Sequence, residues 1–226
     1  MRGLYAIVDV IRLEQQGLDP IRFAKAVLRG APVALQIRDK RLRAAETLAT
    51  LRALRGPCTE SGVLLFANDR ADLAALAHCD GVHVGQNDLP HVEARRAATW
   101  HDSPAKVGVS LHNLPQLDSV LDASVDAWPD YLAFGPVFAT RSKMRPDPVL
   151  GIETLRELTR RAATSGRPTV AIGGIDLFNI AEVAPLCSCV AVIGALLPDL
   201  DATGPDRYAD VAKRTAELGG RLKEYA

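Results

Sequence analysis

The stretch VALQIRDKRLRAAETLATLRALR (33–55) changes its period partway along, and that change decides the fold. In its first eight residues side chains alternate: Leu35 and Ile37 share one face, while Gln36, Arg38 and Lys40 share the other, the two-residue period of a strand. From Arg43 to Arg55 the apolar residues Ala44, Leu48, Leu51 and Leu54 recur at helical spacing, with charge elsewhere. A strand therefore runs straight into a helix. The apolar strand face belongs against that helix, which turns Gln36, Arg38 and Lys40 inward.

The same unit repeats to either side. Short apolar runs stand at LYAIVD (4–9), VALQIR (33–38), GVLLFA (62–67), DGVHV (80–84), KVGVS (106–110), DYLAFG (130–135), PTVAIGG (168–174) and CVAVIG (189–194). Helical spacing is expected near 19–29, 42–55, 69–78, 89–99, 113–123, 151–164, 176–186 and 205–223. Eight strand-then-helix units predict parallel strands buried between a core and a helical coat, closed as a single (β/α)8 TIM barrel of the α/β class. An open doubly wound sheet that binds a dinucleotide would want a GxGxxG turn after the first strand, and none is present.

With 226 residues, 48% of them apolar, the chain is long enough for one sizeable core, so the expectation is one domain over 1–226. The 27 basic and 27 acidic side chains cancel, which argues against nucleic acid or an anionic membrane as partner and leaves small molecules bound by local charge. MRGLYAIVDV enters an apolar run without the layout of a signal peptide, and no apolar stretch is long enough to span a membrane. Cys58, Cys79, Cys187 and Cys189 form no CxxC pair and no zinc spacing, and are read as reduced thiols of a cytoplasmic protein. A homo-oligomer is compatible with all of this.

A barrel of this kind works at the end where its strands finish, and the unusual polar residues gather there. Arg38 and Lys40 need anionic partners if they face the barrel. Aspartates at neighbouring strand ends would serve, as would a bound diphosphate, whose oxygens suit guanidinium and ammonium groups. Asp69 and Asp88 follow adjacent strands three and four. Each alone reads as a helix N-cap; together, beside Arg38, Lys40 and Lys143, they suit Mg²⁺, which takes one or two carboxylates plus phosphate oxygens and water. The glycine turns IGGI (172–175) and VIGA (192–195) end strands seven and eight, where this barrel commonly binds a phosphate. Ser110 and His112 share the inward parity of strand five, His112 as a general base or as a hydrogen-bonding spacer. His83, Tyr5 and Asp9 are expected to be core or strand-end fixtures. PVFATRSKMRPDPVLG (136–151), the longest irregular piece, is expected to be a binding loop.

Taken in order, LYAIVD, LQIRDK, ANDRADLA, CDGVHVGQNDLP, VGVSLHN, DYLAFGPVFATRSK and AIGGI resemble the thiamine phosphate synthases across most of the chain. The joint occurrence of QxRxK, ND, GQxD and TxSK carries the resemblance. It implies that Gln36, Arg38, Lys40, Asn68 and Lys143 hold a pyrimidine diphosphate, and that Asp69 and Asp88 hold Mg²⁺. It further implies that Ser110 lies beside the pyrimidine, while Thr140, Ser142, Gly174, Ile193 and Gly194 meet the phosphate of a thiazole phosphate. Ser110 joins Arg38, Lys40 and Lys143 as the residues expected to carry catalysis. The implied reaction is ionisation of the diphosphate followed by capture of the pyrimidine cation by the thiazole nitrogen. Gly194 stands where many members have Ser, which removes a hydroxyl and keeps the backbone N–H.

Two other readings fit the same scaffold. A thiazole tautomerase would use a histidine at His112 but has no need of Gln36, Arg38, Lys40, Asp69 and Asp88 as a set. A non-catalytic, phosphate-sensing regulator would bind without turnover, and Mg²⁺ would not tighten its hold on a diphosphate.

Overall fold

The computed structural model describes residues 1–41, 43–100, 104–140, 147–199, 203–204 and 206–225. Eight parallel strands close into a barrel in chain order: β1 (Gly3–Asp9), β2 (Ala34–Arg38), β3 (Leu64–Asn68), β4 (Gly81–Val84), β5 (Lys106–Leu111), β6 (Tyr131–Phe134), β7 (Thr169–Ile172) and β8 (Cys189–Val192). The last pairs with the first, Gly3 opposite Cys189. Each expected apolar run became a strand, with each end within two residues of the expected one.

Alternation along the strands sorts the side chains into two cores, as the pattern in 33–40 requires. Leu35 and Ile37 pack outward with Leu51, Leu54 and the other helix residues. Tyr5, Ile7, Ala34, Phe66, Tyr131, Ala133, Val170, Cys189 and Ala191 fill the barrel itself. Gly108 lies opposite Tyr131 in register, and a Cβ there would sit 1.8 Å from the Tyr131 ring. The glycine is what lets a tyrosine ring cross the barrel. Tyr5, Phe66 and Tyr131 meet one another at centroid distances of 5.6 to 5.7 Å.

The helical coat comprises α1 (Val10–Gln15), α2 (Pro20–Leu28), α3 (Ala44–Glu60), α4 (Ala71–Leu76), α5 (His91–Ala98), α6 (Leu114–Leu121), α7 (Gly151–Ala162), α8 (Ile180–Val183) and α9 (Asp206–Lys223). Three differ from expectation. α1 was not foreseen; it starts because the Asp9 carboxylate, ending β1, accepts from the Arg12 backbone N–H and caps it. α3 runs on to Glu60, past the expected end at 55, because Cys58 continues the buried stripe of Leu51 and Leu54. The helix expected over 176–186 shrinks to one α-helical turn followed by a 3₁₀ turn over Ala184–Leu186, where Pro185 follows Ala184. All four cysteines are free thiols, and no helix among the described residues is long and apolar enough to cross a membrane.

Candidate active site

The strand register places the first charged pair. Asp9 and Arg38 are direct partners across β1 and β2, and an Arg38 guanidinium N–H donates to the Asp9 carboxylate at 2.5 Å. The Asp9 side chain is almost fully buried. Two residues on, Lys40 forms an ion pair with Asp69, past the end of β3. The aspartates at neighbouring strand ends are thus the partners of both cations. Lys40 keeps 43% of its side chain exposed against 17% for Arg38, so only the lysine is well placed to exchange partners.

Asp69 and Asp88 are not helix caps. Asp69 takes a left-handed backbone (φ 61°) and donates its N–H to the His83 carbonyl at 2.8 Å, while the residue at the start of α4 is Arg70, which makes no side-chain cap. Asp88 accepts from the Gly85 N–H at 2.8 Å, and the residue in the cap position before α5 is Pro90. The two carboxyl groups instead lie close enough to influence each other. Burial, and secondly the neighbouring Asp88, push the Asp69 carboxyl above its ordinary value although Lys40 pulls the other way. Among the described residues no group of three or more His, Cys, Asp or Glu side chains could hold a metal. A two-carboxylate site fits Mg²⁺, whose remaining positions go to water and phosphate oxygens. Next to it, the Asn68 amide Nδ2 is buried without a hydrogen-bond partner, an open donor in a wall built of charge.

Inside the rim runs a chain of polar contacts. The Gln36 Nε2 donates to the Tyr5 hydroxyl at 2.9 Å, the Tyr5 and Tyr131 hydroxyls meet at 2.8 Å, Tyr131 meets the His83 Nδ1 at 2.8 Å, and the His83 Nε2 meets the Ser110 Oγ at 2.9 Å. Burial raises both phenols above their ordinary value, which keeps both protons in place. His83 braces the core as expected, its ring stacked on Tyr131 at 5.6 Å. Sequence reasoning missed its second contact, with Ser110, and the part played by both tyrosines. The signal was there: Tyr5 has the inward parity of Asp9, and Gly108 is the gap a large neighbour needs.

The opposite wall is the glycine turn after β7. Gly174 has φ 68°, a conformation few other residues adopt, and a Cβ there would lie 2.5 Å from the Ala139 carbonyl. The segment after β6 docks on this turn, Val137 donating to the Ile172 carbonyl and Phe138 to the Gly173 carbonyl, which brings Thr140 to the same rim. Ser142, Lys143 and Arg141 lie outside the described residues. Ile193 and Gly194 begin the 3₁₀ turn after β8, and an Arg12 guanidinium nitrogen lies 3.3 Å from where a Gly194 Cβ would be. Arg12, unmentioned by any motif, therefore borders this turn. His112 donates through Nδ1 to the Gly135 carbonyl at 2.5 Å and turns Nε2 towards Asp147, 3.6 Å away. Its Nδ1 thus ties the end of β5 to the residue after β6.

Comparisons with known proteins give the family and agree with the fold. A family model described as thiamine monophosphate synthase matches residues 4–196. The thiamine-phosphate synthase of Methanospirillum hungatei JF-1 is 38% identical over 212 residues, covering 92% of this chain and 97% of its own. That of Koribacter versatilis Ellin345 is 43% identical over 202 residues, covering 87% and 89%. A solved structure, the thiamine phosphate pyrophosphorylase of Pyrococcus furiosus, superposes with a TM-score of 0.78 at 30% identity, covering 99% of this chain and 96% of the other.

Proposed function

Because the chain belongs to the thiamine monophosphate synthase family, we propose that it condenses 4-amino-5-hydroxymethyl-2-methylpyrimidine diphosphate with thiazole phosphate, giving thiamine phosphate and pyrophosphate. The observation that supports this reading best is the Asp69–Asp88 carboxyl pair beside Lys40, Arg38 and the open Asn68 donor. A diphosphate with its cation would answer all of these groups at once.

On this reading Gln36, Arg38, Lys40, Asn68 and Lys143 hold the diphosphate, and Asp69 and Asp88 hold Mg²⁺. Bound there, Mg²⁺ would supply positive charge to the departing pyrophosphate. Arg38 stays anchored on Asp9 and presents its remaining N–H groups, while Lys40 exchanges Asp69 for phosphate oxygen. The bond between the pyrimidine methylene and the diphosphate oxygen breaks, its electron pair leaving with pyrophosphate. The thiazole nitrogen then donates its lone pair to the methylene cation. No protein nucleophile is required; the work is charge stabilisation by groups already in position. Thr140, Ser142, Gly174, Ile193 and Gly194 are assigned the thiazole phosphate, and Ser110 the pyrimidine. We further read 1–226 as one domain, in the cytoplasm, a placement the four free thiols support.

The test is incubation of purified protein with both substrates, with Mg²⁺ or with EDTA, following thiamine phosphate by oxidation to its fluorescent product. Metal-dependent product is expected, reduced at least about 100-fold in Asp88→Ala. Folded protein that yields no product with metal would sink the synthase reading.

A further inference from the structure

The three successive carbonyls at the end of β7 are each held by a donor outside the turn. Val137 donates its N–H to the Ile172 carbonyl at 2.9 Å, Phe138 to the Gly173 carbonyl at 3.0 Å, and the Asn179 side-chain Nδ2 to the Gly174 carbonyl at 2.9 Å. In a trans peptide the N–H points opposite to the C=O. Tying the Gly173 carbonyl therefore aims the Gly174 N–H away from Phe138, and tying the Gly174 carbonyl aims the Ile175 N–H away from Asn179. Among the described residues no turn or loop hydrogen bond between backbone groups takes either of those N–H groups.

The third tie differs from the first two in kind. Backbone holds Ile172 and Gly173, whereas Gly174 depends on one side chain. Gly173 and Gly174 both have positive φ, 100° and 68°. Without a Cβ, glycine turns either way at little cost, so the peptide between Gly174 and Ile175 has no steric reason of its own to keep its carbonyl where it is. Asn179 supplies one. Its carboxamide is fixed at both ends: the Asp176 N–H donates to Oδ1 at 2.9 Å, which leaves Nδ2 for the Gly174 carbonyl and settles which way the amide points. Asp176 returns the contact, accepting from the Asn179 N–H at 3.3 Å and from the Phe178 N–H at 2.8 Å. Ile175 and Ile180, both buried, anchor the segment on either side.

We propose that Asn179 is a positioning residue for the phosphate end of the site: it locks the Gly174–Ile175 peptide with its carbonyl turned outward, which leaves the N–H to donate to the oxygens of a phosphomonoester. This rests on the reading that the turn after β7 meets the thiazole phosphate. Released from Asn179, the peptide turns over and sets a carbonyl oxygen where a donor stood, against an anion. Affinity for the phosphate group then falls, while the diphosphate side, built on β2 to β4, is unaffected. A role confined to starting α8 would fall equally on Asp176, because both side chains bind the backbone there.

The experiment compares Asn179→Ser and Asp176→Ala with wild type, each as the full chain. Serine is too short to reach the Gly174 carbonyl and adds no charge; Asp176→Ala frees the N–H groups of Phe178 and Asn179 but leaves the tie to Gly174 in place. Calorimetric titration with thiazole phosphate alone gives its Kd, and steady-state rates give KM for each substrate. Asn179→Ser is expected to raise Kd and KM for thiazole phosphate at least about tenfold, the loss of one hydrogen bond to a charged group, with KM for the diphosphate unchanged. Asp176→Ala is expected to leave both KM values close to wild type. An unchanged Kd in Asn179→Ser, equal losses on the two substrates, or an equal loss in Asp176→Ala overturns the inference. Should Asn179→Ser not fold, the wild type answers by ¹⁵N–¹H NMR: the Gly174 and Ile175 amide signals are expected to move downfield as thiazole phosphate is added, and signals that stay in place overturn it. Wild type that binds thiazole phosphate without forming product counts against the synthase reading alone; wild type that does not bind it overturns the inference.

Discussion

Asp69→Asn should make the ligand-free protein more stable while abolishing most of its activity. The Asp69 carboxyl is raised above its ordinary value of 3.8 by burial and by Asp88, with Lys40 only partly offsetting them. A carboxyl raised in the folded state contributes stability that is fully present below the unfolded value and is lost as pH rises through the folded value. At neutral pH the charge at this position therefore costs stability. Asparagine removes it, keeps the shape and tolerates the left-handed backbone at φ 61°. The ion pair it gives up is a rim contact with a part-exposed lysine, which contributes little. A net gain in stability remains, to be read as a rise in Tm.

Thermal melts followed by circular dichroism at several pH values read this directly. The variant's advantage should be absent below the unfolded carboxyl value, grow as pH rises through the folded one, and stay level above it. Asp69→Ala separates charge from backbone: alanine at a left-handed position should fall about 1 kcal/mol below the asparagine variant. Synthase activity should drop at least about 100-fold in both. An Asp69→Asn protein that melts below wild type at pH 7 would mean that Lys40 outweighs Asp88, and the argument for a strained carboxyl pair awaiting a cation fails.

Two further substitutions probe the frame around that pair. Arg38→Ala leaves the buried Asp9 carboxylate without its guanidinium and should cost about 3 kcal/mol in urea unfolding, whereas Lys40→Met, at the exposed pair, should change stability by less than about 1 kcal/mol. Both should lower kcat/KM for the diphosphate; equal stability losses would refute the distinction between an anchored and an exchanging cation. Gly108→Ala puts a methyl 1.8 Å from a tyrosine ring held at its hydroxyl, and should lose about 3 kcal/mol or more, read by urea unfolding; a variant as stable as wild type would show that the ring has room to move.

The eight-unit barrel was legible because parallel strands buried on both faces leave short apolar runs, and the period change inside 33–55 fixed which face of β2 looks inward. From that parity followed Gln36, Arg38, Lys40 and Ser110. Their partners were less legible, because pairing depends on register between strands distant in sequence: nothing local in LYAIVD says that Asp9 lies opposite Arg38. The capping alternative for Asp69 and Asp88 fitted each residue taken singly and fell to the backbone, where a left-handed Asp69 and a Gly85 N–H on Asp88 turn both carboxyls away from the helix starts. The Tyr131 hydroxyl was invisible for a third reason. A tyrosine in DYLAFG reads as apolar filler until the structure shows what its oxygen touches.

The arrangement also explains how a site meant for several negative charges persists in a chain whose net formal charge is zero. Two cations facing a barrel mouth must be compensated before any ligand arrives, or their desolvation would oppose folding. The protein compensates them unequally. Asp9 is buried and opposite Arg38 in register, so that pair is part of the fold and its guanidinium meets ligand with its geometry already fixed. Asp69 is part-exposed, raised towards its protonated form and shared between Lys40 and Asp88, so that pair is provisional. A diphosphate arriving with a divalent cation would offer each member a better partner, phosphate for the lysine and metal for the carboxylates, and charge would stay balanced throughout. Charge complementarity of that kind favours the metal–diphosphate complex over either component alone, because either alone would leave one half of the Lys40–Asp69 pair without compensation.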